Sequence, residues 1–284
     1  MIIIAESGAT KTAWRSVNDE GTVRSVQTGG MSPTCLDAEH VRSSVRHAVP
    51  ELNPEGERIV SVFFYGAGLV SEAVTDPIRI SLEMWCPFAK IYFFSDLMAA
   101  ARALFGDGDG VVAIMGTGSN SCMYSKGEIS GHINSGGFII GDEGSASALG
   151  KTLISDYIKG LVPVEVRLLF ESHYELSYQD IVRKVYKEPG AAAFLGSFAP
   201  FVLENIDEPS GYLRNIVDEC IDSFMKRALC RYHAGDGMVR KVGVVGSFGC
   251  ACEGRIRETG GRYGLEFVKF IKSPIDELVK YHGV

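Results

Sequence analysis

Short apolar runs rich in β-branched and aromatic residues alternate along the chain with longer stretches in which apolar residues recur every three or four positions. Three strand-like runs separated by polar turns come first: MIIIAE, TAWRSV and TVRSVQT. Short strands joined in this way predict an antiparallel meander. Two more strand-like runs, RIVSVFFYGAG and KIYFFSD, then alternate with helical patterns. This alternation predicts a sheet covered by helices, and therefore an α/β core.

A second succession of the same kind starts after residue 98. The helical stretch LMAAARALFG leads into GVVAIMGTGSNSCMYSKGEISGHI, which has the pattern strand, turn, strand, turn, strand. The succession closes with the apolar run KVGVVGSFG, and amphipathic helical segments fill the interval from about residue 145 to 235. The pattern predicts two α/β cores, each opening with a meander, with a helical insertion in the second.

Length and charge agree with this organisation and restrict the function. A chain of 284 residues is long enough for two domains, and 46% hydrophobic with 22% charged residues is typical of a globular protein with substantial cores. Its 28 basic residues are outnumbered by 35 acidic ones, which gives a net charge of −7. An acidic balance argues against nucleic acid or an anionic membrane as partner. No apolar run reaches the roughly 20 residues of a membrane helix.

The N-terminal segment and the cysteines indicate the compartment. MIIIAES has neither the basic flank nor the length of a secretory signal, so we expect a cytoplasmic protein with reduced thiols. The seven cysteines and six histidines form no C-x-x-C pair and no H-E-x-x-H segment. We therefore expect no dedicated metal site. For the assembly, a homodimer is the default expectation.

Two small-residue turns that follow apolar strands are candidates for phosphate binding: ESGATKT at residues 6–12 and GTGSNS at residues 116–121. Glycine lets backbone N–H groups approach a phosphate closely, and Thr or Ser hydroxyls add donors. Either turn alone is better read as an ordinary hairpin. Two of them at the starts of two similar cores could together clamp a triphosphate in a cleft between domains.

Asp96 follows a strongly apolar strand and precedes a helical stretch. Asp is favoured as a helix N-cap, which is one reading of this position. A carboxylate at the carboxyl end of a central strand also points into the crevice where α/β sheets bind ligands. In that reading Asp96 takes a proton from a substrate hydroxyl as general base.

The segment NSGGFIIGDEGSASALG, residues 134–150, places four glycines around the adjacent carboxylates Asp142 and Glu143. One reading is a loop leading into a helix with an acidic first turn, which the helix dipole favours. Four glycines exceed what such a helix start requires. The alternative is a polyol pocket, because carboxylates and amides commonly hold sugar hydroxyls, with Asn120 as a third member. A further turn, GSFGCA at residues 246–251, could place backbone beside the base and ribose of a nucleotide.

Five motifs, in order, resemble those of the BadF/BadG/BcrA/BcrD-type ATPases and, within them, of the N-acetylglucosamine kinase-like branch of the actin-like ATPase superfamily: ESGATKT, SDLMAAARAL, IMGTGSNS, GFIIGDEGSASALG and VVGSFG. The resemblance spans nearly the whole chain. It implies two RNase H-like lobes, with mixed sheets flanked by helices and with ATP and sugar bound in the cleft between lobes. The implied lobes are residues 1–98, completed by a C-terminal helix at 273–284, and residues 99–272 with the insertion at about 145–235.

The same resemblance implies roles for individual residues. Asp96 is the base that activates the sugar hydroxyl, and Mg²⁺ bridges the β- and γ-phosphates of ATP, with Glu6 or Asp96 reaching it through water. The residues implied around the phosphates and the nucleotide are Glu6, Gly8, Thr10, Lys11, Thr12, Gly116, Thr117, Gly118, Gly246 and Ser247. Those implied around the sugar are Ser32, Ser119, Asn120, Gly137, Asp142 and Glu143.

Two motifs depart from the family pattern. The first usually reads Asp-Gly-Gly-Gly-Thr, whereas residues 6–10 here read Glu-Ser-Gly-Ala-Thr, which is a less flexible turn. In TGGMSPTCL, Ser32 stands where the family's sugar kinases tend to carry Asn. The shorter side chain removes one reach toward a sugar.

Together these patterns predict an ATP-dependent sugar kinase that acts on an amino sugar such as N-acetylglucosamine. Two alternatives stay open. One is an ATP-hydrolysing activator of a dehydratase or reductase, which would need cysteines for an iron–sulfur cluster. Met115 rather than a cysteine leads the second glycine turn, which disfavours the activator. The other is a sugar- or nucleotide-binding sensor with weak catalysis.

Overall fold

The structure, a computed structural model, describes residues 1–8, 11–31, 37–69, 71–234 and 237–283. These residues form two compact units, one of residues 1–108 with 273–284 and the other of residues 109–272. The boundary expected at residue 98 is thereby corrected to 108. The helix that follows residue 95 packs against the C-terminal helix and the sheet of the first unit, and this long-range contact cannot be read from the local sequence pattern.

The first unit is a five-stranded sheet with helices on both faces. Its elements are β1 (Ile2–Ser7), β2 (Lys11–Val17), β3 (Val23–Gly29), α1 (Ala38–Leu52), β4 (Ser61–Gly66), α2 (Glu72–Trp85), β5 (Lys90–Ser95), α3 (Asp96–Phe105) and the C-terminal helix (Ile275–Tyr281). The strand order is β3-β2-β1-β4-β5. The first three strands form the predicted antiparallel meander, and β1, β4 and β5 are parallel.

Strand β1 is buried on both faces because successive side chains of a strand point to opposite sides of the sheet. Ile3 belongs to the core formed with α1 and α2, whereas Ile4 belongs to the core formed with α3 and the C-terminal helix. The apolar run at the start of the chain is thus a central strand of a covered sheet. Its carboxyl end carries the first candidate turn.

The second unit repeats this sheet with a larger helical complement. Its elements are β6 (Gly110–Met115), β7 (Ser119–Ser125), β8 (Glu128–Ile133), α4 (Gly137–Ile140), α5 (Ala146–Ile158), α6 (Val164–His173), α7 (Tyr178–Tyr186), α8 (Ala191–Gly196), α9 (Ala199–Glu204), α10 (Tyr212–Arg227), a 3₁₀ turn (Leu229–Arg231), β9 (His233–Ala234), β10 (Gly237–Met238), β11 (Lys241–Val245), α11 (Ser247–Ala251), α12 (Glu253–Arg262) and β12 (Glu266–Ile271). The strand order is β12-β11-β6-β7-β8, with an antiparallel meander of β6, β7 and β8 and with β11 and β12 parallel to β6.

Helices α5 to α10 form the insertion between β8 and β11, and most of them bury apolar residues in one core with the sheet. The predicted fold class, two mixed sheets flanked by helices, is confirmed. Among the helices that the structure describes, none combines the length and the apolar character needed to cross a bilayer.

A polar cluster fastens the residue after the C-terminal helix, His282, to the rest of the first unit. Arg102 of α3 donates to the Tyr65 hydroxyl at 2.7 Å, and the same hydroxyl lies 2.8 Å from His282 Nε2. The Arg102 guanidinium also stacks over the ring of Phe94, 4.0 Å from its centroid. Tyr65 is fully buried, so its hydroxyl joins two polar groups that would otherwise lose hydration without a partner.

We expect Tyr65→Phe to lower the free energy of unfolding by about 1–3 kcal/mol, because Arg102 loses a buried acceptor. Urea denaturation followed by circular dichroism measures this change. Tyr92→Phe is the matched control, since Tyr92 is half-exposed and contributes a ring stacked on Phe63. Equal losses in the two variants would contradict a special role for the Tyr65 hydroxyl.

Candidate active site

In the first unit, buried hydroxyls hold the turn between β1 and β2. The Ser7 and Thr12 hydroxyls lie 2.8 Å apart, and Thr12 donates to the Gly29 carbonyl at 3.0 Å. Ser7 Oγ accepts from the backbone N–H of Met31 at 2.9 Å. The turn is therefore tied to the following strand, and the Thr12 proton is already engaged inside the protein. Contact of Thr12 with a phosphate stays a prediction.

Glu6 lies at the carboxyl end of β1, partly buried, on the register position opposite Tyr65 of β4. Burial raises the pKa of its carboxyl to about 7, with a further increase from the negative charge of Asp96 and an opposing decrease from Lys11. The sequence analysis placed this carboxylate at the end of the first strand. Its titration near neutrality comes from desolvation and from a second carboxylate that the topology brings close.

Asp96 is the first residue of α3, immediately beyond the end of β5. The helix cap is its neighbour Ser95, whose hydroxyl accepts from the Met98 N–H at 3.1 Å. The reading of Asp96 as the N-cap is therefore wrong. One of its carboxylate oxygens accepts from the Leu97 N–H at 2.9 Å, which fixes the carboxylate at the strand end.

The first unit thus brings together five of the predicted residues: Glu6, Gly8, Lys11, Thr12 and Asp96. Gly8 donates its N–H to the Lys11 carbonyl at 2.9 Å, which closes the turn. Two predicted residues, Thr10 and Ser32, lie outside the described residues, and their roles stay predictions.

In the second unit, the turn between β6 and β7 is fastened to the start of α5. The N–H groups of Ala146 and Ser147 donate to the carbonyls of Gly116 and Thr117 at 2.9 and 3.0 Å. These N–H groups belong to the first turn of the helix, where no intrahelical partner exists. The glycine turn and the helical insertion are therefore one hydrogen-bonded structure.

Asp142 is buried in a left-handed conformation with φ of 57°, which is unusual for a residue other than glycine. Burial raises the pKa of its carboxyl, while the hydrogen bonds from the Ser119 backbone and the Ser135 side chain act in the opposite direction. A Cβ at Gly118 would lie 2.8 Å from the Asp142 carboxylate. A side chain at position 118 would therefore displace the carboxylate from its place beside the Ser119 N–H.

Asn120 and Glu143 line one cavity of about 500 Å³ together with Ser119. The Asn120 side-chain oxygen accepts from the Ser121 N–H and lies 3.0 Å from His132 Nε2. Glu143 forms an ion pair of 3.2 Å with Arg227. The cavity is rich in hydrogen-bonding groups, which suits a polyhydroxylated ligand. Gly137 lies at the exposed start of α4, and its role stays a prediction.

The turn after β11 packs directly on the first glycine turn of this unit. Gly246 has φ of 132°, and a Cβ there would lie 2.2 Å from the Met115 carbonyl oxygen. Ser247 opens α11 beside it and is exposed. The close approach explains the glycine and brings the two predicted nucleotide segments together.

A cavity of about 450 Å³ joins these two turns to helix α9 of the insertion. Gly116, Thr117 and Ser247 lie at one side, and the opposite side comes from α9. Phe248 and Ala251 come from the predicted segment at residues 246–251, and Ala146 comes from the motif at residues 134–150. The lining residues that the sequence patterns did not indicate are Gly196, Ala199, Pro200, Leu203 and Glu204. Within α9, Ala199, Pro200, Leu203 and Glu204 are spaced as on one helix face. This spacing could have marked them as one surface, but nothing in the local sequence tells which face of α9 meets the turns.

The chain is similar to solved structures of sugar kinases. No protein-family model matches the chain, and no curated protein sequence matches it significantly. Among solved structures, a proposed N-acetylglucosamine kinase from Porphyromonas gingivalis is 32% identical, with a TM-score of 0.90 over 99% of this chain and 98% of that one. The chain belongs to the N-acetylglucosamine kinase-like family of actin-like ATPases. The fold expected from the five motifs is thereby confirmed.

More distant structures share the fold of this N-acetylglucosamine kinase-like chain. A proposed N-acetylglucosamine kinase from Chromobacterium violaceum is 16% identical, with a TM-score of 0.74 over 99% of this chain and 98% of that one. A ROK family glucokinase from Streptomyces griseus, solved with glucose and AMPPNP, is 14% identical, with a TM-score of 0.60 over 99% and 97% of the two chains. At these identities the likeness concerns the fold alone.

In this kinase-like chain we expect Glu6→Gln to stabilise the fold at alkaline pH. The folded pKa of about 7 exceeds the ordinary 4.5, so the native state binds more protons than the unfolded state between these values, and stability falls as pH rises through them. Gln mimics the protonated form. The gain should be near zero at pH 4 and about 1–3 kcal/mol at pH 8, measured by urea unfolding in metal-free buffer.

The exposed carboxylate Glu20 provides the control for this substitution, because Glu20→Gln removes the same charge from the surface of the same unit. A gain for Glu6→Gln that is independent of pH would contradict the titration of Glu6 near neutrality.

We expect Gly118→Ala to lower the free energy of unfolding by about 1–3 kcal/mol, because its Cβ would overlap a buried carboxylate that two hydrogen bonds hold in place. Gly116→Ala in the same turn of the kinase-like chain is the control, since the nearest atom to its Cβ is a carbonyl oxygen 3.9 Å away. Chemical denaturation measures both. If the two variants lose equal stability, the Asp142 contact is not the reason for the glycine.

Proposed function

We propose that the protein is an ATP-dependent sugar kinase that transfers the γ-phosphoryl group of Mg-ATP to a hydroxyl of an amino sugar such as N-acetylglucosamine. The observation that carries this proposal is the position of Asp96. Its partly buried carboxylate lies beyond the end of β5, and Ser95 performs the capping of α3. Asp96 is therefore not the N-cap residue, and its carboxylate accepts from the Leu97 N–H of the first turn. The 32% identity over nearly the full chain to a proposed N-acetylglucosamine kinase supports the same assignment.

The chemistry assigned to Asp96 is proton acceptance. As the sugar hydroxyl oxygen attacks the γ-phosphorus, its proton passes to the Asp96 carboxylate. A new O–P bond forms, the bond from the γ-phosphorus to the β–γ bridging oxygen breaks, and ADP leaves with that electron pair. Phosphoryl transfer of this kind depends on positioning and on charge stabilisation.

The nucleotide is proposed to occupy the cavity beside α9. Its lining combines small and apolar side chains, among them Ala199, Leu203 and Phe248, with the glycine turn at residues 116–118. Apolar walls suit a purine base, and closely approached backbone suits phosphates. ATP as phosphoryl donor also agrees with the AMPPNP-bound glucokinase that shares the fold.

The two carboxylates of the first unit fit a magnesium ion that arrives with ATP. Mg²⁺ is usually held by one or two carboxylates and the substrate phosphates, and it keeps several waters. Glu6 and Asp96 lie close enough for the charge of Asp96 to raise the pKa of Glu6. These two residues would hold the ion, directly or through water. When bound, Mg²⁺ neutralises the charge that develops on the phosphates.

For the sugar, the proposed ligands are the polar groups around the cavity of the second unit. Asn120 and Glu143 line it, and the hydrogen bonds of Asp142 hold the backbone of Ser119 at its edge. Amide and carboxylate groups bind hydroxyls with defined geometry. Ser32, which replaces the usual Asn of the family, remains a proposed contact.

We expect Asp96→Asn to lower kcat by about 10²–10⁴-fold, the usual effect of losing a general base. Binding of ATP in metal-free buffer should change little, because Asn keeps the size of the side chain and no magnesium contact is then involved. The assay measures ADP release from Mg-ATP with N-acetylglucosamine, glucosamine, N-acetylmannosamine and glucose, and calorimetry measures ATP binding. Asp107→Asn, an exposed carboxylate in the turn after α3, is the matched control.

The results separate the candidate functions. Sugar-stimulated release that disappears in Asp96→Asn supports the kinase. Full activity of Asp96→Asn rejects Asp96 as the base. ATP hydrolysis that no sugar stimulates would move the assignment to an activator ATPase, and sugar binding without product would move it to a sensor.

A further inference from the structure

The hydrogen bonds of Asn120 define the orientation of its side-chain amide. Asn120 Oδ1 accepts from the backbone N–H of Ser121 at 3.0 Å. A backbone N–H only donates, so the atom that faces it is the amide oxygen and not the amide nitrogen. The contact with Ser121 therefore distinguishes the two ends of the amide.

This orientation in turn fixes a proton of a neighbouring histidine. His132 Nε2 lies 3.0 Å from the same Asn120 oxygen. An amide oxygen accepts and does not donate, so His132 Nε2 carries the hydrogen of this contact. Both lone pairs of the Asn120 oxygen are then occupied inside the protein, one by the backbone of Ser121 and one by the imidazole of His132.

The register of β7 and β8 brings this pair together. Cys122 and His132 are partners across these antiparallel strands, and Asn120 lies two residues before Cys122 in β7. Side chains two residues apart in a strand share a face of the sheet. Asn120 and His132 are therefore diagonal neighbours on one face, within the range in which long side chains interact.

A buried hydroxyl fixes the spacing of the two strands beside the pair. Tyr232 donates its hydroxyl proton to the Ser121 carbonyl at 2.8 Å and accepts from the Ile133 N–H at 3.1 Å. Tyr232 is buried, so water competes little with this bridge. Ser121 and Ile133 directly follow Asn120 and His132 in their strands. The bridge therefore holds the distance over which these two side chains meet.

The arrangement leaves the Asn120 amide nitrogen for a ligand. Among the residues that the structure describes, none accepts from Nδ2, and Asn120 lines the polar cavity of the second unit. An amide held by its oxygen presents two N–H donors in a fixed direction. Without His132, a half-turn that exchanges the oxygen and the nitrogen breaks one hydrogen bond instead of two.

We propose that His132 is a positioning residue for the sugar: its Nε2–H fixes the Asn120 amide so that Nδ2 donates to an acceptor oxygen of the substrate. That oxygen belongs to a hydroxyl or to the acetamido group. His132 acts through Asn120 and does not contact the sugar. This inference rests on the proposed function and adds to it a residue that lies outside all the sequence motifs.

A purely structural role of His132 has different consequences. A polar pair between β7 and the edge strand β8 also supports strand pairing. In that case, loss of the imidazole lowers stability and weakens the binding of sugar and ATP alike. The proposed role instead affects sugar binding alone and depends on the presence of the Asn120 amide.

The first experiment separates sugar binding from the other steps. Calorimetry gives the Kd of N-acetylglucosamine and of ATP for the full chain, and ADP release gives kcat and KM. We expect His132→Ala to weaken sugar binding about three- to tenfold, the usual effect of one hydrogen bond, with kcat and the Kd of ATP unchanged. His132→Gln should restore most of the affinity, because its amide N–H can replace Nε2.

A double-mutant cycle connects this effect to Asn120. In an Asn120→Ala background, His132→Ala should change the sugar affinity less than about twofold, because the amide that it positions is gone. His173→Ala is the control. His173 is an exposed histidine at the end of α6 in the same unit, and its Nδ1 lies 2.9 Å from the Leu169 carbonyl of its own helix. The control should bind the sugar with unchanged affinity.

A measurement on the sugar-free chain decides the question if Asn120→Ala abolishes sugar binding. Long-range proton–nitrogen NMR correlations distinguish the two tautomers of a neutral imidazole. A proton on Nε2 of His132 supports the inference. A proton on Nδ1 overturns it, because the Asn120 oxygen would then have no donor in His132.

Each contrary outcome has a definite meaning. Unchanged sugar affinity in His132→Ala, an equal effect with and without Asn120, or equal weakening of sugar and ATP binding overturns the inference, and sugar phosphorylation would leave the kinase proposal standing. Coupled effects on sugar binding without turnover support the inference and contradict the proposed function. If the unsubstituted chain does not bind N-acetylglucosamine, the inference fails, and turnover of another sugar decides the kinase proposal separately.

Discussion

The second unit depends on one buried carboxylate in an unfavourable environment. Asp142 has a left-handed backbone and a side chain that is almost completely buried. It is tolerated because the Ser119 N–H and the Ser135 side chain donate to it and because Gly118 has no Cβ to exclude it. The same glycine turn accepts hydrogen bonds from the first turn of α5. One constraint therefore fixes a β-hairpin, a glycine-rich loop and the entrance of the helical insertion, which are the three segments that carry the candidate ligands of this unit.

The first unit reaches a similar rigidity by another route. Ser7 stands where the family pattern has its first glycine. Its hydroxyl oxygen accepts from the backbone N–H of Met31 and contacts the Thr12 hydroxyl. Sequence reasoning treats the replacement of glycine as a loss of flexibility. In the folded unit it becomes a gain of two buried hydrogen bonds, which hold the turn against the following strand. Fixed flanks lower the entropy that a turn loses when it binds a ligand, so the substitution and a phosphate-binding role are compatible.

Local patterns predicted the five strands of the first sheet, the two meanders, the strand β11, both glycine turns and the position of Asp96, because each depends on residues close in sequence. They missed the edge strand β12 (Glu266–Ile271). They did not predict that α3 belongs to the first unit, since this follows from its contact with a helix about 180 residues later. Capping by Ser95 was missed because Ser and Asp are both good caps and only the hydrogen bond distinguishes them. Local patterns also did not predict that Leu203 and Arg231 line cavities. Their neighbours come from distant segments, and no motif in the local sequence marks them.

The two carboxylates of the first unit can have different roles because their surroundings differ. Glu6 is desolvated at the end of a central strand, and its pKa of about 7 lets it carry a proton during part of the time at neutral pH. Asp96 lies at the N-terminus of α3, where the helix dipole favours a negative charge, and the Leu97 N–H donates to it. Two adjacent acids in unequal environments could divide the functions of proton acceptor and variable charge between them. In the proposed mechanism Asp96 accepts the proton of the sugar hydroxyl, and protonation of Glu6 would relieve the repulsion that an incoming triphosphate would meet.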